Sequence, residues 1–343
     1  MQSANFPMKN VPRFAGPAKL IGRRQVLGLA GSVALWPRAI RAQPMQVIGF
    51  LLTGSVATTR QELAAFWQGI DEVGFVEHRN IESGYHWADG HDERLPILAT
   101  DLVRQGASVI IAGGAQAVAA AQRATATTPI VFVAASDPVR SGFVDSLSHP
   151  GANTTGVSLA SPELLAKRLQ VLHQLTPSSM SVAALVNPEA PNLDVQLQYL
   201  NDQANRLGIR AQIVNASGET DFGAALDVIA KRVADALVVA NDGFLNSERV
   251  RLVELTTHDR IPAAFANREF VEAGGLMSYG PSLIEAYRQA GGYAGRILKG
   301  ERPADLPVKN PIELELAINT KTAQSFGLDI PRAMLAAADE VVK

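Results

Sequence analysis

Beyond residue 45 the chain alternates short runs rich in Val, Ile and Ala with longer amphipathic stretches. A short, wholly apolar run suits a strand buried on both faces, and a stripe recurring every 3.6 residues suits a helix packed on such a sheet. The alternation therefore predicts βαβ units around a parallel sheet. Strands are predicted over 47–52, 80–85, 108–112 and 130–134, with helices over 58–73, 92–105 and 116–124. Gly74 and Gly106 follow two of these helices, where a left-handed cap is needed.

The turn-rich segment His149-Pro150-Gly151-Ala152-Asn153 interrupts the series. The pattern then restarts: Ser161 with Pro162 behind it predicts a capped helix start, and strands are predicted over 182–186, 210–214, 236–240 and 263–266. The stretch 248–259 reads as an amphipathic helix with a solvated face. After Gly274-Gly275 come a strand over 276–279, a helix over 282–298, a Pro-rich segment over 302–311, a strand over 313–319 and a final helix. The expected fold class is α/β, with two doubly wound parallel-sheet lobes of similar construction.

Composition agrees, since 343 residues at 47% hydrophobic are enough for two cores. Charge divides the chain sharply. Of the 31 Lys and Arg, seven lie in the first 42 residues, which hold no acidic residue; the remaining 24 face 33 Asp and Glu. Such an acidic body lacks the basic face that nucleic acid or an anionic membrane requires. The absence of cysteine removes disulfides, thiolate metal sites, cysteine nucleophiles and lipoprotein-type acylation.

The basic leader has its own logic. Arg23 and Arg24 precede a weakly apolar run, 25–35, that is too short to span a bilayer. Ile40 and Ala42 then occupy the −3 and −1 positions of a cleavage site, predicting a mature start near Gln43. The paired arginines, with Arg38 and Arg41 after the run, point to a twin-arginine signal; an ordinary secretory signal is the alternative. Either way the mature protein is expected to be free in the periplasm.

In open α/β sheets ligands sit beyond the carboxyl ends of the strands, where helix N-termini offer unpaired N–H groups. Those positions here hold small or polar residues: Thr53 and Ser55, Gly113 and Gly114, Ser136 and Asp137, Asn187, then Asn241 and Asp242. Phe244, Phe270 and Tyr279 lie close by in sequence, which suits a compact polar ligand with an apolar or aromatic portion. Each such residue also serves simply as a turn or cap; the set as a whole argues for a site. Gly113-Gly114 does not continue into a dinucleotide fingerprint, and neither a P-loop nor a serine-hydrolase elbow is present. His86, Asp89, His91 and Asp92 are dense enough to suggest a metal, but read more simply as a solvated loop, so no cofactor or metal is expected. Asp242 has no visible base partner, and catalysis is not expected.

Several motifs together resemble the ABC transporter substrate-binding proteins of the TrpX type: VIGFL at 47–51, IVFV at 130–133 with SDPV at 136–139, GANTTGVS at 151–158, ALVNP at 184–188, and REFVEAGGLMSYG at 268–280. The resemblance implies a type I periplasmic-binding-protein fold whose chain crosses between lobes three times, near Gly156, Gly275 and Leu306. The domain plan is then a signal over 1–42, one lobe over 43–156 plus about 276–305, and another over 157–275 plus about 306–343. It also implies a monomeric carrier of a small solute, such as an aromatic amino acid or a related compound, serving an ABC permease and its ATPase. Thr53, Ser55, Gly113, Gly114, Ser136 and Asp137 would form one wall of the site; Asn187, Asp242, Phe270 and Tyr279 would supply much of the other. Asp242 or Asp137 is the expected partner of a ligand ammonium. A sensory ligand-binding module and an exported enzyme on the same scaffold are the rival readings.

Overall fold

The structure, a computed structural model, describes residues 45–190, 193–231, 234–310 and 314–343. The expected signal and cleavage point near Ala42 lie outside the described residues.

The first lobe begins with β1 (Gln46–Leu52), α1 (Arg60–Asp71), β2 (Ile81–Trp87), α2 (Leu95–Arg104), β3 (Val109–Gly113), α3 (Ala115–Ala124), β4 (Ile130–Ala134) and β5 (Thr154–Ser158). These strands form one parallel sheet in the order β2-β1-β3-β4-β5. Alternation along β1 explains the two helical layers: Ile48, Phe50 and Leu52 face a core that includes Phe66 of α1, while Leu51 faces Leu102 of α2 and Val118 of α3. The strand β5 carries no apolar run, yet it is buried. Its Thr154 hydroxyl accepts from Gln122 at 3.0 Å, and Thr155 donates to the Leu306 carbonyl at 2.6 Å. These bonds let polar residues sit in a core.

The second lobe continues with α4 (Leu164–Leu175), β6 (Ser181–Val186), α5 (Leu193–Leu207), β7 (Arg210–Asn215), α6 (Glu219–Ala230), β8 (Ala236–Val239), α7 (Gly243–Ser247), α8 (Arg249–His258), β9 (Ala263–Phe265), α9 (Arg268–Glu272) and β10 (Met277–Pro281). The chain then returns to the first lobe as α10 (Leu283–Leu298). It finishes in the second with β11 (Leu314–Asn319), α11 (Thr320–Phe326), α12 (Arg332–Ala337) and β12 (Glu340–Val342). The second sheet has the order β12-β11-β10-β9-β8-β6-β7. The pairing of β10 with β11 is antiparallel, so β11 and β12 run against the other strands. A chain arriving from the other lobe enters the sheet at the opposite end, which reverses it.

Three expectations need correction. The segment from 276 onward was expected in the first lobe, but β10 pairs with β9 and β11, so the crossing falls after Pro281. Residues 306–309 were expected in the second lobe, but Lys309 bonds Gly156 and Ser158 alongside β5, and the last crossing follows it. Ser161 does not cap a helix through its side chain: the chain is still passing between lobes, α4 begins at Leu164, and only the Ser161 carbonyl accepts from the Leu164 amide, at 3.1 Å.

The returning helix α10 packs on α1 at glycine distance: a Cβ on Gly69 would meet the Arg288 carbonyl, and one on Gly291 would meet that of Phe66. The N-cap Ser282 accepts from the Glu285 amide at 3.2 Å and starts the helix as it enters the first lobe. Among the described residues no helix is long and apolar enough to cross a membrane.

Candidate functional site

The carboxyl ends of β1, β3, β4, β8 and β9 converge on one cleft of about 290 Å³ between the lobes. Thr53, Gly113, Gly114 and Ser136 line it from the first lobe, and Asp242 and Phe270 from the second. Glycine is required at the first wall. A Cβ on Gly113 would meet the Tyr287 hydroxyl, and Gly114 holds φ at 100°, a conformation that side chains resist. The helix α3 therefore begins at the cleft with no capping side chain.

The other expected residues do not line the cleft. Ser55 ties the turn into α1, its amide donating to Thr58 at 2.9 Å and its carbonyl accepting from Thr59 at 2.7 Å. Asp137 caps its own turn, accepting from the amides of Val139 and Arg140 at 3.0 and 3.1 Å. Tyr279 contributes its carbonyl to the buried Arg168 at 2.8 Å. Phe244 lies in the core, edge-on to Phe222.

Asp242 is at the cleft but occupied. Its Oδ1 accepts from the amides of Phe244 and Leu245 at 2.9 and 3.2 Å, capping α7, and its Oδ2 accepts from Asn187 at 3.1 Å. Asn187 thus acts behind the wall as a support for Asp242. Burial pushes the Asp242 carboxyl above the usual range, against these hydrogen bonds. A residue with its oxygens so engaged is a poor partner for a ligand ammonium, contrary to the sequence expectation.

Sequence reasoning missed two buried acids at the cleft. Glu269, in the first turn of α9, is 4% exposed, and both of its carboxylate oxygens are buried without a partner. Glu62, in the first turn of α1, is 5% exposed and lines the same cleft from the opposite lobe. Burial first, then the charge of Glu62, pushes the Glu269 carboxyl up to about 7. Burial likewise raises Glu62, with its backbone and Arg249 opposing. Ser136 and Ser141 hydroxyls and the Asn267 Oδ1 are also buried at the cleft without partners. Among the described residues lining the cleft, Arg249 is the only basic one, against Glu62, Glu189, Asp242 and Glu269. Apolar surface comes from Leu52, Val133, Phe143, Leu159 and Leu283 of the first lobe, and from Phe270 stacked on Phe265 at 4.6 Å.

The lobes touch around this space. Gln61 donates to Glu272 at 3.1 Å, Arg249 to the Thr58 carbonyl at 3.0 Å, and Arg140 to Asp194 at 3.3 Å. A binding cleft closed by contacts between two lobes, with unpartnered polar groups inside, is built to enclose a small molecule.

The family model described as ABC transporter substrate binding protein matches residues 48–342. The chain belongs to that family. Kinship with substrate-binding proteins of the TrpX type, and the type I periplasmic-binding-protein fold, hold as expected from the motifs. Among relatives, a tyrosine-binding protein of Clostridioides difficile (strain R20291) is 25% identical over 265 residues, covering 77% of this chain and 75% of its own. A conserved domain protein of Vibrio cholerae O1 biovar El Tor has a solved structure with 25% identity and a TM-score of 0.78, covering 87% of this chain and 99% of its own. An ABC domain of Streptococcus pneumoniae, solved in complex with L-Trp, shares 24% identity and the fold at a TM-score of 0.77, with the same coverage.

Asp89 pairs with Arg94 at 3.0 Å and His91 faces Glu93 at 3.3 Å. Among the described residues no three His, Cys, Asp or Glu are grouped to hold a metal ion.

Proposed function

We propose that this protein is the exported solute-binding component of an ABC importer, working as a single chain in the periplasm. It captures an amino acid or a related small solute in the interlobe cleft and presents the closed form to a membrane permease driven by an ATPase. The observation that carries the reading is the cleft itself, lined from both lobes and holding buried polar groups that lack partners. Family membership and the tyrosine-binding relative support it. The ligand's binding energy favours the closed over the open arrangement by its differential affinity for the two, and no chemical step is needed.

An amino acid suits the lining. The uncapped start of α3, the Ser136 and Ser141 hydroxyls and Arg249 suit a carboxylate, while Phe143 and Phe270 suit an apolar side chain. The test is a thermal-shift screen of the mature protein against amino acids, aromatic metabolites, purines and small carboxylates, with calorimetry on hits. A stoichiometric ligand recovered chemically unchanged is expected. A ligand consumed during incubation would instead mark an enzyme.

A further inference from the structure

We propose that Glu62 and Glu269, one from each lobe, form a divided seat for a protonated amine of the ligand, so that the cleft selects amine-bearing solutes and closes upon them. The inference rests on the solute-binding reading above and names the class of solute.

Both glutamates occupy the first turn of a helix, where an acid ordinarily complements the positive end of the helix dipole while remaining in water. These two are buried, and neither oxygen of Glu269 makes a hydrogen bond to another residue. A buried carboxylate is retained at a cost unless something pairs with it. Helix capping accounts for neither the burial nor the vacancy; a cationic donor entering the cleft accounts for both.

The starts of α1 and α9 meet at this point. Gln61, beside Glu62, donates to Glu272, which lies one turn beyond Glu269. The charged and titratable groups facing the pair are Arg249 from α8, Glu272 from α9 and Tyr287 from α10. Arg249 is a single positive charge against the two glutamates, so this end of the cleft carries a negative excess when both are ionised. In the empty protein that excess is relieved in part by a proton on Glu269, whose carboxyl burial and Glu62 push up to about 7. An ammonium group replaces the proton, hydrogen-bonds to carboxylates from both lobes and removes the repulsion that opposes their approach. Asn267, whose buried Oδ1 is also unpartnered at the cleft, adds an acceptor two residues from Glu269.

Two consequences follow. Deleting the amine from a ligand must weaken binding, and amine binding near neutral pH must release protons. Glu269 titrates near neutral pH in the empty protein, so the release at pH 7 is a fraction of a proton per ligand.

The experiment is calorimetry on the mature protein at pH 7 in phosphate and in Tris, whose ionisation enthalpies differ. The probes are L-tyrosine, L-tryptophan and their amine-lacking counterparts, 3-(4-hydroxyphenyl)propionate and indole-3-propionate. We expect at least one amino acid to bind, its counterpart to bind more than tenfold more weakly, and the amino acid to release protons. Glu62→Gln and Glu269→Gln should each lose at least tenfold in amino-acid affinity, and Glu269→Gln should abolish the release. Asp92→Asn removes another raised carboxyl that does not line the cleft, and it should leave both effects intact. An amine-lacking acid that binds within threefold of its amino acid, or amino-acid binding without proton release, overturns the inference and leaves the solute-binding reading standing; neither readout needs a variant. Failure of all four probes overturns the inference together with that reading.

Discussion

Arg249, at the start of α8, donates from Nη1 to the main-chain carbonyl of Thr58 at 3.0 Å. A side chain of the second lobe thereby closes on the turn that leads into α1 of the first. The bond exists only while the lobes are together, so it belongs to the closed state. A charge-assisted hydrogen bond in a half-buried place contributes about 1–2 kcal/mol. Arg249→Met is therefore expected to weaken ligand binding roughly tenfold, by calorimetry, with the melting temperature of the empty protein little changed.

Gly243 offers a purely steric probe of closure. A Cβ there would lie 3.0 Å from the Thr53 hydroxyl and 3.6 Å from the Gly114 Cα, both in the opposite lobe. Gly243→Ala should leave each lobe intact and obstruct their approach, lowering ligand affinity by about an order of magnitude. Small-angle scattering with saturating ligand should report a larger radius of gyration than for the unaltered protein. An identical radius and affinity would mean that the lobes do not close to the observed distance.

Glu269 sets a pH dependence of stability whose sign is fixed by its raised carboxyl. Its ordinary value is 4.5 and its folded value about 7, so the folded protein holds the proton more tightly. The cost of ionising it is fully felt above about pH 7 and vanishes below about 4.5; its contribution to the stability of the empty protein rises as pH falls through that window. At roughly 1.4 kcal/mol per unit, Glu269→Gln should stabilise the empty protein by up to about 3 kcal/mol at pH 8 and by almost nothing at pH 4.5. Urea unfolding at the two pH values measures the difference. Stability gained by removing a group that the ligand needs is the expected trade between folding and binding.

Arg168 is wholly buried in the second lobe, donating to the carbonyls of Tyr279 at 2.8 Å and Val239 at 3.2 Å. Burial alone depresses its pKa to about 9. It ties the ends of β8 and β10 together across β9, beneath the strands that present Asp242 and Asn267. Arg168→Ala leaves a large cavity and two orphaned carbonyls, and should cost about 3–5 kcal/mol. Arg168→Met retains most of the volume and should cost less. Chemical denaturation orders the two; a cost below about 1 kcal/mol for Arg168→Ala would show that the carbonyls find other donors.

The sequence by itself determined most strands, the position of α10 and the polar turns at the strand ends, because hydrophobic period and turn chemistry are local properties of neighbouring residues. Thr53, Gly113, Gly114, Ser136 and Asp242 were legible in that way, and all line the cleft. Strand β5 escaped the apolar pattern because its Thr and Gly are made compatible with burial only by partners 32 and 151 residues away. Nothing local says which sheet β10 joins, or that the oxygens of Asp242 are taken up by Asn187 and the start of α7. The tertiary structure also decided the roles of Glu62 and Glu269. Each is an ordinary first-turn acid in its own helix, and becomes a buried, like-charged pair only because folding brings α1 of one lobe against α9 of the other.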